Sequence, residues 1–277
     1  MNQNTYEILS QTQRQRVSDG AIASILDHCD DCPSEQHKLN RKLNLKLNRK
    51  LILVLPQLGD FDSLEYIWWI QREIDRLQSA GILVRAVGIG DRQSGQYFCK
   101  FTGFDENSLF IDATGELHRQ LGLYSGLTAK YPLLSAGQSA WINLMLMCAG
   151  IGSQGTLAEV FRGYRGDRFA PQLIGDEEII KAAPLPALKG SFFQWAGGKG
   201  FQRPFELATL RLRNMAEVLG NWKAYVPDAS YMTQRGGTFL FDEHNALIYE
   251  HRDRGILGFT ATPSYPLTFL FGNQSTN

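Results

Sequence analysis

"KLILVLPQLGDFDSLEYIWWIQREIDRLQSAGILVRAVGIG", residues 50–90, carries a strand, a helix and a second strand in that order. Residues 51–55 are apolar throughout, as a strand covered on both faces must be. Beyond them Leu64, Ile67, Trp68, Ile74 and Leu77 build one helical stripe, and Gly81 is the stop. "ILVRAVGIG" is the second strand, and strand–helix–strand in this order is a right-handed parallel unit. At the helix start Asp62 reads as the N-cap, with Glu65 three residues later completing a capping-box-like pair. Asp60 and Asp62 both lie at the positive end of the helix dipole. The same residues could also be the remnant of a reactive site, and capping is the plainer role.

Downstream, "SGQYFCKFTGF" reads as a helix, "SLFID" as a third strand and "ELHRQLGL" as a short helix. Residues 123–233 leave this rhythm. Helix signals in "INLMLMCAG", "GTLAEVFRGY" and "FELATLRLRNMAEVLGNW" alternate with Gly- and Pro-rich connectors. In the last of these Ala208, Leu212, Met215, Leu219 and Trp222 share one face. "GGTFLFDEHNALIYEHRD" is a β-hairpin around the polar turn 242–245. Upstream, "QRVSDGAIASIL" reads as a short hairpin and helix, and "HKLNRKLNLKLNRK" as a linker-like insertion.

With 277 residues, 43% apolar and 20% charged, the chain is of ordinary globular composition and long enough for a substantial core. Lys and Arg (28) balance Asp and Glu (28), so no global field argues for nucleic acid or an anionic membrane. Four cysteines are too few and too scattered for a disulfide framework. The first twenty residues lack the basic start and apolar run of a signal peptide, which sets a cytoplasmic expectation. Residues 131–158 carry no charged side chain. Pro132, Gln138, Asn143 and Gln154 interrupt them, which favours a buried or membrane-touching helix over a spanning one.

The wording of two segments, "VGIGDRQSGQYFCKFTGFDENSLFIDATGELHRQLGL" and "RGGTFLFDEHNALIYEHRDRG", resembles the alkyl hydroperoxide reductase/thiol-specific antioxidant superfamily (AhpC/TSA). Within it the chain is most similar to the peroxiredoxin-like 2 branch, in the long form of cyanobacteria and plastids. The resemblance covers roughly residues 50–122 and 232–258. It implies an α/β, thioredoxin-like fold with a large, mainly helical insertion before the C-terminal β-hairpin. The expected organisation is an N-terminal extension and linker (1–49), the thioredoxin-like domain (50–258) with its insertion at about 123–233, and a tail (259–277).

The resemblance also locates an active site. Peroxiredoxins use Pro-x-x-x-Thr/Ser-x-x-Cys, in which the hydroxyl and a nearby Arg activate a thiolate. Here Pro56 holds the first position, Asp60 the hydroxyl position and Ser63 the cysteine position. The Cys-x-x-Cys of the peroxiredoxin-like 2 branch falls on Asp60 and Ser63 as well. A serine supplies no thiolate, and a neighbouring aspartate raises the pKa of any thiol beside it. The cis-proline usual before the final hairpin is also missing from "YMTQRGGTF".

Other thiols are then the candidates for redox chemistry: Cys99, and the pair Cys29 and Cys32 in "HCDDC". The pair, with His28 and His37, is at most half of a metal site, and Asp27, Asp30 and Asp31 disfavour a thiolate there. Cys148 in "LMLMC" reads as core. Gly150, Gly152 and Gly155 fit GxGxxG, with Asp176 at a ribose-contact distance in sequence. The segment before them reads as helix rather than strand, so no dinucleotide pocket is expected. "AGGKGFQRP", with Lys199 and Arg203, reads as a Gly-rich turn rather than an anion site. His118, His244 and His251 are isolated.

No cofactor, metal or nucleic acid is therefore expected. The expected function is antioxidant or redox homeostasis, through a thiol-dependent peroxidase if the chain is active, with a thiol reductant such as thioredoxin as partner. The alternative is a non-catalytic binding or assembly factor that meets a protein partner or a membrane through the helical insertion.

Overall fold

A computed structural model of the protein describes residues 2–26 and 49–271. Helix α1 (Asn2–Gln11) leads into a hairpin of β1 (Gln13–Arg16) and β2 (Ile22–Ser24). Then follow β3 (Arg49–Gln57), α2 (Phe61–Arg72), α3 (Ile74–Ser79), β4 (Ile82–Ile89), α4 (Arg92–Thr102), β5 (Leu109–Ile111) and α5 (Glu116–Gln120). The chain returns to the sheet at β8 (Gly237–Phe241) and β9 (Leu247–Arg252). Seven strands pair in the order β2-β1-β5-β4-β3-β8-β9. The three central strands β5, β4 and β3 are parallel, while β8 and β9 on one side and β1 and β2 on the other run antiparallel.

Alternation along β3 explains why this strand is apolar at every position. Leu51, Leu53 and Leu55 face one layer with Leu64, Ile67 and Ile70 of α2 and Phe98 of α4. Ile52 and Val54 face the other layer with Leu9, Leu117, Leu121 and Phe239. A central strand with helices on both faces has no solvent side. The two layers and the βαβ, ββ order are those of a thioredoxin-like fold.

The helix expected over 62–81 is broken in two. Glu73 leaves helical geometry (φ −107°, ψ 8°), and its N–H closes a tighter turn onto Ile70. The second piece still buries Leu77 against the sheet. The N-cap also differs from the sequence expectation. Asp60 (φ −76°, ψ 133°) caps α2, accepting from the Asp62 N–H at 2.9 Å, and Asp62 lies inside the first turn.

Between β5 and β8 the insertion contributes α6 (Ala136–Cys148), α7 (Thr156–Arg165), a two-stranded hairpin of β6 (Ile179–Ile180) and β7 (Leu188–Lys189), α8 (Glu206–Gly220) and α9 (Trp222–Tyr225). Leu207, Leu210 and Val218 of α8 join the same core layer as α2. Glu65 of α2 ties the two helices further. Arg211 Nε donates to Glu65 Oε2 at 2.7 Å, and its Nη2 donates to Glu159 Oε1 of α7 at 2.7 Å. After β9 the segment with Phe259, Leu267 and Leu270 is buried in that layer too.

Candidate functional site

The C-terminal end of β3, the start of α2 and the turn into β8 meet at one point, and what they bring together is charge. Antiparallel pairing sets Val54 opposite Gly237, which places Arg235 beside the start of α2. Arg235 is fully buried. Its guanidinium bonds Asp60 Oδ2 and reaches Asp62 Oδ2 at 3.2 Å. Asp62 Oδ2 also accepts from the Leu257 N–H at 2.6 Å. This pairing explains the displaced cap: a charged guanidinium and an amide hold Asp62 more strongly than the helix's own orphan N–H groups would. Burial pushes the Asp62 carboxyl well up from its ordinary range, and the Asp60 carboxylate adds to the rise against the opposing pull of Arg235. Asp62 Oδ1 has no hydrogen-bond partner among the described residues.

The surrounding residues close this cluster off. Ser63 is buried, and its hydroxyl donates to the Gln57 carbonyl at 3.1 Å. Pro56 packs against Gly236, where an added Cβ would come within 2.8 Å of Pro56 Cδ and 2.3 Å of the Val54 oxygen. Asp253 accepts from the Gly236 N–H at 3.0 Å, and its burial raises its carboxyl to about 7. Arg235 thus stands at the start of α2 with two carboxylates occupying its guanidinium, and Ser63 beside them carries a hydroxyl rather than a thiol.

Above the cluster, α6, α7, α8 and residues 185–196 enclose a cavity of about 1270 Å³. Asp60, Asp62 and Gln57 line one end. The walls are carbon, with Leu144, Met145, Val160, Leu212, Met215 and Phe193 among them. Trp141 stacks on Trp222 at 5.0 Å between ring centres. The face of α8 carrying Ala208, Leu212, Met215 and Leu219, continued by Trp222 at the start of α9, lines this space rather than the sheet-facing core.

Cys148, read from the sequence as core, is exposed and lines the cavity. Helix α6 ends there, so its last turn opens onto the space instead of packing beneath it. Partial burial, then the carboxylates of Asp62 and Asp60, push its thiol up. Cys99 is buried in the core layer under α4, and burial pushes its thiol far above the ordinary range. Neither environment generates thiolate. Cys29 and Cys32, with His28 and His37, lie outside the described residues. Among those residues no group of His, Cys, Asp and Glu could hold a metal ion.

The remaining motifs are structural in their local geometry. Helix α6 precedes Gly150, Gly152 and Gly155, so the strand–turn–helix of a dinucleotide site does not form there. Arg203 is buried and bonds Glu206 and the Ile174 carbonyl, while Lys199 lies 3.5 Å from Asp176. His118 is buried, and its Nε2–H donates to the Leu55 carbonyl at 2.8 Å; desolvation lowers its pKa to about 4. His244 is exposed, and His251 donates to the Gly258 carbonyl. Among the described residues no helix is long and apolar enough to cross a membrane.

A thioredoxin-like fold is the class these features define. The sequence model of the AhpC/TSA antioxidant enzyme family matches residues 69–255, well over half of the chain, and the chain belongs to that family. The match begins beyond Pro56, Asp60 and Ser63. Comparison with curated proteins and with solved structures returned no match.

Three site features escaped the sequence reading: Arg235, the Glu65–Arg211–Glu159 network and the cavity. Arg235 could have been found, because it sits two residues before a strand that must pair with β3, whose end carries the site. Nothing local marks the other two.

Proposed function

We propose that this AhpC/TSA family member works by binding, with the family's active-site position rebuilt as the floor of a ligand cavity. The observation that carries this reading is the Asp60–Arg235–Asp62 cluster: the position that resemblance gives to a reactive cysteine is Ser63, buried and bonded to a carbonyl, beneath two carboxylates and their arginine. A peroxidatic step needs a thiolate held by a free cation and open to peroxide. The large apolar cavity over the same cluster supplies what a binding protein needs instead: concavity, carbon walls and few polar groups.

A second reading keeps the antioxidant role of the peroxiredoxin-like 2 branch. One observation favours it, namely that Cys148 opens onto the cavity beside the old site position. In this reading a thiol carried by the insertion turns over peroxide with thioredoxin as reductant.

Native mass spectrometry of the full chain, purified without detergent, separates the two. Binding predicts a co-purifying small molecule in the wild type that Leu212→Trp, which fills the cavity, removes. Equal spectra from both proteins, with no bound mass, would contradict it.

A further inference from the structure

We infer that the cavity takes a long-chain apolar molecule with an uncharged head, an isoprenoid or acyl alcohol in type, and rejects fatty acids and phosphate-headed lipids. This deepens the binding reading and rests on it. Size is the first argument. Pockets for drug-sized molecules run to roughly 300–1,000 Å³, and this space is about 1270 Å³. Its walls offer almost nothing but carbon and sulfur, so a chain or fused-ring skeleton is the occupant that satisfies them. At one side the stacked pair Trp141–Trp222 gives a flat surface for such a skeleton. Trp195, 91% exposed, and Phe192, 56% exposed, also belong to the lining. Large aromatic groups left in water next to a cavity mark a place where apolar matter enters.

Charge decides the head. The charged residues lining the cavity are Asp60, Asp62 and Arg211. The Arg211 guanidinium is committed, bonding both oxygens of Glu65 and one of Glu159. The two aspartates share the buried Arg235. Among the described residues no cation in the lining is left to receive a carboxylate or phosphate, and the two carboxylates there share a single guanidinium. An anionic head would lose its water and gain no counter-charge. Three other polar lining side chains are held internally: Gln57 donates to the Asp228 carbonyl, Thr156 to Ile256 and Thr209 to Phe205. A single hydroxyl or carbonyl, with little to lose on desolvation, is the head this environment tolerates.

The test is a tryptophan-fluorescence titration of the full chain at pH 8 with geranylgeraniol, oleyl alcohol and oleate. The expected result is saturable quenching by one or both alcohols, with oleate at least tenfold weaker. Whichever alcohol binds names the source as isoprenoid or acyl. Ala208→Trp, which fills the cavity from α8, should weaken alcohol binding at least tenfold with an unchanged circular dichroism spectrum. Met215→Gln repeats the test where the larger residue disturbs folding. Oleate binding as tightly as the alcohols overturns the neutral-head inference and leaves the binding reading standing. Failure of all three to bind overturns both. A dimer that Ala208→Trp dissociates, with no ligand bound, assigns the cavity to a protein partner and also overturns the inference.

Discussion

Arg235 Nη1 lies 3.2 Å from Asp62 Oδ2, although the two residues are 173 positions apart in the chain, and neither side chain is open to water. The pair joins the turn before β8 to the first turn of α2. Removing one partner of such a pair strands the other. Arg235→Met should therefore cost about 3–5 kcal/mol in urea unfolding. Replacing the carboxylates as well (Asp60→Asn and Asp62→Leu in the same chain) should recover most of that loss, since apolar packing then replaces the pair. A triple variant no more stable than Arg235→Met would show that the cluster contributes more than mutual neutralisation.

Restoring sulfur alone should not restore reactivity. In Ser63→Cys the new thiol would sit buried next to Asp62 and facing the Gln57 carbonyl, and both oppose ionisation. Iodoacetamide labelling followed by mass spectrometry is expected to leave position 63 of this variant unmodified while Cys148 reacts. Rapid alkylation at position 63 would show that the site is open. In the wild type Cys148 should react before Cys99, because only the former is exposed.

Stability against pH carries two opposed contributions. His118 titrates near 4 when folded instead of 6.5, so the unfolded chain takes up its proton first as pH falls. Its contribution is present above pH 6.5 and is lost between 6.5 and 4, about 3 kcal/mol at about 1.4 kcal/mol per pH unit. Asp253 runs the other way. Its folded carboxyl titrates at about 7 instead of 3.8, so stability falls as pH rises through that window. Asp253→Asn keeps an acceptor for the Gly236 N–H and removes the charge. Its melting temperature relative to wild type should rise steadily from about pH 4 to about pH 7. A constant difference would place the Asp253 carboxyl in the ordinary range.

At Gly236 the turn before β8 runs close against the end of β3. In Gly236→Ala the new Cβ meets the Val54 oxygen and Pro56 Cδ inside contact distance, and overpacking of this kind costs about 1–3 kcal/mol. Because Arg235 is the preceding residue, thermal unfolding should show the loss as partly non-additive with Arg235→Met. Strict additivity would separate the close approach from the charge cluster.

How far the chain could be read from its sequence follows from the range of each signal. The strand–helix–strand of residues 50–90 was legible because β3, buried on both faces, leaves an apolar run with no alternation, and α2 leaves a stripe. Pro56, Asp60 and Ser63 marked the start of α2 as the stretch to inspect, and the structure brings Arg235 and Asp62 together there. That meeting was not legible. Asp62 looks like an N-cap in isolation, and only Arg235 and the Leu257 amide, both distant in sequence, draw it inward. The helix break at Glu73 has no Gly or Pro to announce it. The periodicity of Ala208, Leu212, Met215, Leu219 and Trp222 gave a face without saying what it faces, and the same gap hid the exposure of Cys148. Apolar spacing cannot distinguish the wall of a core from the wall of a cavity.

Whether the protein binds or turns over peroxide is decided by peroxide consumption by the full chain, with thioredoxin, thioredoxin reductase and NADPH supplied. A binding protein should give a rate no greater than the protein-free control, unchanged in Cys148→Ser and Cys99→Ser. Catalytic turnover that any one cysteine substitution abolishes would contradict the binding reading.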